Sequence, residues 1–172
     1  FRFNLGLRDG FISSDEESLM KVVEQIRKHQ PKIIITNSRK DRHPDHEAAS
    51  RLVKKACFLS GLVKINTKFE EENQSPWRPK SILYSIQNNY VDPEFVIDIT
   101  KFYDKKLEAI NCFKSQFYDP KSNEPKSFIS SKEFMNFINS RAIEMGHSIG
   151  VVYGEGFTSE NKLQINSLDS II

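Results

Sequence analysis

Two of the four histidines lie three positions apart in the stretch 36–49, TNSRKDRHPDHEAA. His43 and His46 flank Pro44 and Asp45, and Arg42 directly precedes them. Imidazole nitrogens can bind zinc or transfer protons, and a nearby carboxylate can orient an imidazole through its second ring nitrogen. A guanidinium offers a planar fork for a carboxylate or a phosphate. These residue types suit metal-assisted acid/base chemistry, and they equally suit a polar loop with two solvated histidines.

The spacing leaves the division of work between the two histidines open. Both could bind one metal ion, or one could bind it while the other acts as an acid or base. A catalytic zinc site usually has three protein ligands, so this pair cannot complete one alone. His29 and His147 are near the ends of predicted helices, and we expect both at the surface.

The elements around the histidines predict an α/β unit. Residues 14–30 have apolar residues at helical spacing after a cap signal at Ser13 or Ser14. KIIIT (32–36) is short and β-branched, which is typical of a strand buried on both faces. The helix after the histidines is predicted to begin at Asp45 as N-cap and to close at Gly61. Ligands of open α/β sheets collect outside the carboxyl ends of strands, where this pattern puts the histidines.

The remainder of the chain continues the alternation of strands and helices. The pattern predicts strands over 81–87 and 94–99, helices over 100–117 and 130–150, loops over 69–80 and 118–128, and a final edge strand within 154–168.

The composition favours a soluble, cytoplasmic protein. The 172 residues are 38% hydrophobic and 28% charged, with a net charge of +2. That charge is too small to indicate a nucleic acid or membrane partner, and no apolar run approaches the ~20 residues of a membrane span. Cys57 and Cys112 are predicted to be reduced and buried. Trp77 and Phe117 suit either a core or a subunit interface, which leaves a homo-oligomer open.

The stretch DRHPDHEAASRLVKKACFLSGL resembles the second signature of the LmbE-like, or PIG-L, family of zinc-dependent N-acetylglucosamine deacetylases. Within that family it is most similar to the bacillithiol biosynthesis deacetylases, as are FNLGLRDGFI, SPWRPK, SQFYDP and YGEGF. The resemblance implies one domain over 1–172 with a Rossmann-like, mostly parallel sheet flanked by helices. It also implies a small amino-sugar substrate: the acetamide of N-acetylglucosaminyl malate would be hydrolysed to glucosaminyl malate and acetate.

The family's first motif, of the type Ala-His-Pro-Asp-Asp-Glu, does not occur in these 172 residues. In the family that motif supplies two metal ligands and the general base. We therefore expect a domain that lacks its first βα portion, with one Zn²⁺ ligand here and the others upstream of residue 1. We also expect this fragment to be inactive alone.

The resemblance assigns roles by position. It implies that His46 binds the metal, and that His43 stabilises the oxyanion and protonates the leaving amine. It pairs the Asp45 carboxylate with His43 and directs Arg42 to the malate carboxylate. Asp9 matches a position lining the sugar pocket, and a simple turn residue is the equal alternative.

Two other functions fit the same features. One is deacetylation of another N-acetylglucosamine conjugate, such as an inositol glycoside or a chitin oligomer. The other is a non-catalytic carbohydrate-binding or assembly subunit. A nucleotide-binding Rossmann module is disfavoured because the sequence has no Gly-x-Gly-x-x-Gly turn.

Overall fold

The structure is a computed structural model that describes residues 1–123 and 125–171. The described helices are α1 (Glu16–His29), α2 (Pro44–Ser60), α3 (Tyr103–Asn111) and α4 (Lys132–Ser148), with 3₁₀ turns at Thr100–Phe102 and Leu168–Ile171. The described strands are β1 (Ile33–Thr36), β2 (Lys68–Phe69), β3 (Glu72–Asn73), β4 (Ser81–Ser85), β5 (Phe95–Asp98) and β6 (Gly154–Ser159).

The chain forms two compact units. One contains residues 1–94 and 157–172, and the other contains residues 95–156. The predicted site residues all belong to the first unit.

The sheet of the first unit is mixed. β1 pairs with β4 in parallel, from Ile33 opposite Ser81 to Thr36 opposite Tyr84. β4 pairs antiparallel with the end of β6, where Leu83 lies opposite Ser159. The predicted α/β class, with helices flanking a sheet, is confirmed. The strand predicted within 154–168 is present as β6, but the strand order is β1-β4-β6-β5, so the prediction that it is an edge strand is wrong.

Helices α1 and α2 pack together over the core of the first unit. The buried residues are Leu19, Val23, Ile26, Leu52, Ala56 and Cys57. Leu7 and Ile12, which precede α1, pack against this cluster from the amino-terminal segment. Full burial of a leucine, isoleucine or valine side chain stabilises a fold by about 1.5–3 kcal/mol. The cluster thus fixes both α2 and the segment before α1, which both contribute to the site.

Strand β1 is at one edge of the described sheet. Ile33 and Ile35 are 56% and 60% exposed, whereas Ile34 is half-buried against the helical core. The prediction of a strand buried on both faces is therefore wrong. The β-branched run specifies an extended backbone, but burial depends on what covers each face.

The structure also corrects several local predictions. α1 is capped by Asp15, not by Ser13 or Ser14, because the Asp15 carboxylate accepts a hydrogen bond from the Ser18 N–H (2.8 Å). The helix predicted over 100–117 is shorter in the structure, because α3 ends at Asn111. The segment 69–80, predicted as a loop or excursion, overlaps the small β2/β3 hairpin, which begins at Lys68. Both cysteines are free, but Cys57 is buried and Cys112 is exposed at the end of α3.

In the second unit, α4 closely approaches the start of β6. A Cβ atom at Gly154 would be 2.7 Å from the Gly146 backbone nitrogen, so a larger residue would separate the two elements. The rings of Tyr103 and Tyr153 stack with centroids 3.8 Å apart.

Among the described residues, no helix is both long enough and apolar enough to cross a membrane.

Candidate active site

The loop after β1 is tied to the loop after β4. The Gln87 side-chain oxygen accepts hydrogen bonds from the Ser38 N–H (3.0 Å) and from the Asn37 side-chain nitrogen (3.2 Å). Because β1 and β4 are parallel, their carboxyl ends lie at the same edge of the sheet. The histidine motif follows this tied segment directly, at the place where open α/β sheets bind ligands.

Asp41 is a fully enclosed acidic residue of the site, with 0% of its side chain exposed. Its Oδ1 atom accepts hydrogen bonds from three backbone N–H groups, those of Arg42 (2.8 Å), Asn88 (3.1 Å) and Asn89 (3.0 Å). Its Oδ2 atom is 2.5 Å from Nδ1 of His46. Burial would raise the pKa of Asp41, but the hydrogen bonds from His46 and the backbone outweigh it and lower that pKa. Asp41 is therefore ionised at neutral pH.

The ionised Asp41 determines where His46 carries its proton. A carboxylate only accepts hydrogen bonds, so Nδ1 of His46 must be the protonated nitrogen in this contact. In the neutral ring, Nε2 then has a lone pair. The His46 side chain is 32% exposed. This is the arrangement typical of a histidine that binds metal through Nε2 while a carboxylate holds its other nitrogen.

His43 has the opposite arrangement. It is the N-cap of α2, and its Nδ1 atom accepts a hydrogen bond from the Asp45 N–H (3.2 Å). The neutral His43 ring therefore carries its proton on Nε2 and can donate it. The centroids of the His43 and His46 rings are 5.1 Å apart, with 30° between the ring planes. One ring thus offers a donor beside another that offers a lone pair.

The Asp45 carboxylate is buried and bound to the segment before α1. Oδ2 accepts from the Gly10 N–H (2.5 Å) and Oδ1 from the Ile12 N–H (3.2 Å). Asp45 contacts the His43 ring through its backbone N–H, whereas its carboxylate was predicted to pair with that ring. Asp45 also lies inside α2, one residue after Pro44, so the prediction of Asp45 as N-cap is wrong.

Asp9 is exposed in a turn that the Phe11 N–H closes on the Arg8 carbonyl (3.2 Å). Gly10 has a φ of +77°, a conformation that favours glycine, and this presents its N–H to Asp45. The turn thus carries Asp9 to the start of α2. Its role in binding a sugar stays a prediction.

Arg42 is exposed and directly precedes His43, while its backbone N–H binds Asp41. The structure therefore brings Arg42, His43, Asp45, His46 and the Asp9 turn together around the start of α2.

The donor chemistry fits one ligand of a zinc site. Nε2 of His46 has the lone pair that a metal requires. Within residues 1–123 and 125–171, no three His, Cys, Asp or Glu side chains form a group that could hold a metal ion. The number of metal ligands that this chain supplies, and zinc itself, stay predictions.

Sequence reasoning missed Asp41 and the loop 87–89. Asp41 lies two residues before His43 in a polar loop, and nothing in its spacing distinguishes it from a solvated acid. Asn88 and Asn89 follow β4, and the signal that joins them to the site is the parallel pairing of β4 with β1.

Residues 2–57 match the family model described as PIG-L, GlcNAc-PI de-N-acetylase. The PIG-L match covers every predicted site residue, from Asp9 to His46.

Three solved structures are similar in fold to this chain. The chain is similar to the conserved protein TT1542 from Thermus thermophilus, with 29% identity over 96% of this chain and 69% of that chain, and a TM-score of 0.81. The N,N′-diacetylchitobiose deacetylase from Pyrococcus horikoshii gives 24% identity over 96% and 60%, with a TM-score of 0.70. The 4-carboxy-2-hydroxymuconate hydratase GalB from Pseudomonas putida gives 19% over 90% and 62%, with a TM-score of 0.66.

At 24% and 19% identity, the similarity to the chitobiose deacetylase and to GalB shows that their fold is shared with this chain, and no more. The chain spans between three fifths and seven tenths of the lengths of these three proteins.

Proposed function

We propose that this chain is part of a zinc-dependent N-deacetylase that hydrolyses the acetamide of N-acetylglucosaminyl malate to glucosaminyl malate and acetate. The observation that carries the proposal is the opposed hydrogen bonding of His43 and His46, within a segment that matches the PIG-L model. The activity is proposed for the complete gene product, in which further metal ligands and the general base would come from outside this chain.

His43 would act on the reacting amide. Its Nε2–H would donate a hydrogen bond to the carbonyl oxygen as that oxygen gains negative charge. Protonation of the leaving amine requires a charged His43 ring with hydrogens on both nitrogens. Nδ1–H would then face the Asp45 N–H, so the ring would have to turn from its capping position. The Asp45 carboxylate is the predicted acceptor for the turned ring.

His46 would supply one metal ligand through Nε2. Zinc, when bound, would polarise the acetamide carbonyl and lower the pKa of a water molecule. Asp41 keeps the His46 proton on the other side of the ring, which supports this assignment.

Arg42 would bind the malate carboxylate. It is exposed and adjacent in sequence to His43, and a guanidinium can bind a carboxylate with two hydrogen bonds. The likeness of DRHPDH and SQFYDP to the bacillithiol deacetylases is the reason for choosing malate over an inositol glycoside or a chitin oligomer. Arg42 agrees with that choice, since neither of those sugars carries a carboxylate.

The test is acetate release by the complete protein from N-acetylglucosaminyl malate, an N-acetylglucosaminyl inositol and N,N′-diacetylchitobiose. We expect the highest kcat/KM with the malate conjugate. Replacement of Arg42 by Met should raise KM for that conjugate about tenfold or more, since a hydrogen bond to a charged group contributes about 1.5–3 kcal/mol. KM for diacetylchitobiose should not change.

Two results would contradict parts of the proposal. A similar loss with all three substrates would argue against the malate contact and favour a different conjugate. Binding of the sugars without acetate release would favour the non-catalytic carbohydrate-binding alternative.

A further inference from the structure

We propose that Asp41 is a positioning residue that fixes His46 in the Nδ1–H tautomer, and that the loop after β4 holds Asp41 in the orientation this requires. The tautomer follows from hydrogen bonding alone, and its value for metal binding rests on the proposed function.

The two oxygens of Asp41 have different partners. Oδ1 accepts the backbone N–H groups of Arg42, Asn88 and Asn89, at 2.8–3.1 Å. Oδ2 is 2.5 Å from Nδ1 of His46. Three donors around one oxygen prevent the carboxylate from rotating, and the buried position excludes water as a substitute partner. Oδ2 is thus directed at His46.

An amide at position 41 should reverse the His46 tautomer. Asparagine has one carbonyl oxygen and one NH₂ group. The three backbone N–H donors require the oxygen at the Oδ1 position, so the NH₂ group would face Nδ1 of His46. Two N–H donors cannot share a hydrogen bond, so His46 would have to accept at Nδ1 and carry its proton on Nε2. That proton would occupy the site of the metal.

The loop after β4 contributes two of these three donors, and Gln87 ties the same loop to Ser38. The position of the His46 proton therefore depends on a segment that lies 47 and 48 residues after Asp41 in the sequence. The backbone N–H of Asp41 donates a longer hydrogen bond to the Glu47 carboxylate (3.4 Å). This bond does not involve the His46 ring. Glu47→Gln is thus a matched acid-to-amide control beside the site.

The direct test is two-bond ¹⁵N–¹H NMR of the histidine rings in the metal-free complete protein, under conditions in which the spectra themselves show neutral rings. We expect His46 to be protonated at Nδ1 and His43 at Nε2. In Asp41→Asn we expect His46 to be protonated at Nε2, and in Glu47→Gln to keep the proton on Nδ1.

Wild-type His46 with its proton on Nε2 would overturn the proposal, and that spectrum decides even if Asp41→Asn does not fold. An unchanged tautomer in folded Asp41→Asn would also overturn it, as would the same reversal in Glu47→Gln.

A second readout is zinc affinity of the complete protein. Loss of the carboxylate partner of a metal-binding histidine typically lowers metal affinity 10–100-fold, and we expect that loss in Asp41→Asn but not in Glu47→Gln. Equal affinity of the two variants would contradict a positioning role toward the metal. Failure of the complete protein to release acetate would defeat the proposed function without affecting the NMR result.

Discussion

At the scale of single residues, the site depends on how each polar side chain is paired. His43 and His46 were predictable from their spacing and from the strand and helix around them. Asp41 was not, because its importance comes from contacts with Asn88 and Asn89 that only the folded chain brings together. Asp45 was predicted as a site residue, but the contacts of its carboxylate with the Gly10 and Ile12 N–H groups could not be predicted for the same reason.

Arg27 shows how another charged side chain is used inside the first unit. It lies in the last turn of α1 and is only 3% exposed. Its guanidinium donates to four acceptors, the carbonyls of Ser60 (3.0 Å), Leu62 (2.8 Å) and Ile65 (2.6 Å) and the Thr67 hydroxyl (2.8 Å). The side chain thus joins α1 to the end of α2 and to the segment that follows it, where the Ser60 and Leu62 carbonyls also accept backbone N–H groups.

Replacement of Arg27 by Met should lower the free energy of unfolding by about 3 kcal/mol. The methionine keeps the apolar stem but removes the donor of the Ile65 carbonyl and of the Thr67 hydroxyl oxygen, and an unpaired buried acceptor costs about 1–3 kcal/mol before relaxation. Urea unfolding followed by circular dichroism measures this change. Arg27→Lys should lose less, because its ammonium can still donate to some of the acceptors. A loss below about 1 kcal/mol in Arg27→Met would contradict this account.

At the scale of elements, the caps of α1 and α2 set the boundaries around the site. His43 caps α2 with the same ring nitrogen that leaves its Nε2 available as a donor. A histidine cap is not a common helix-start signal, and the predicted cap was the more usual Asp45. The sequence pattern thus located the helix, while the identity of its cap depended on the contacts of Asp45 with the Gly10 turn.

The α1 cap gives a pH-dependent prediction. Hydrogen bonds from the Ser13 hydroxyl and the Ser18 N–H lower the pKa of Asp15 from 3.8 to about 2. A lowered folded-state pKa means that the charged cap stabilises the protein fully above pH 3.8, and that this stabilisation is lost as pH falls toward 2. Asp15→Ala should therefore be less stable than wild type at neutral pH, and the difference should shrink over that interval.

Chemical denaturation at several pH values measures the effect. Asp15→Asn is the control, because asparagine caps helices well but has no proton to gain. A stability difference between wild type and Asp15→Ala that stays constant down to pH 2 would contradict the prediction.

At the scale of the whole molecule, the types and order of the helices and strands along the chain were easier to predict than the contacts between them. Each helix and strand arises from a local pattern, so the α/β class could be predicted. The insertion of β6 between β4 and β5 could not, because strand order depends on pairing between distant segments. The exposure of Ile33 and Ile35 has the same origin, since a strand's own residues do not specify what packs against them.

The proposed division of work between the two histidines can be tested most directly on the complete protein. The measurement is bound zinc per chain in His46→Ala and in His43→Ala, with acetate release recorded on the same preparations. We predict that His46→Ala loses its zinc. We predict that His43→Ala keeps zinc while turnover falls by about 10²–10⁴-fold, the usual contribution of an acid/base group. Stoichiometric zinc in His46→Ala, or undiminished turnover in His43→Ala, would contradict the assignment.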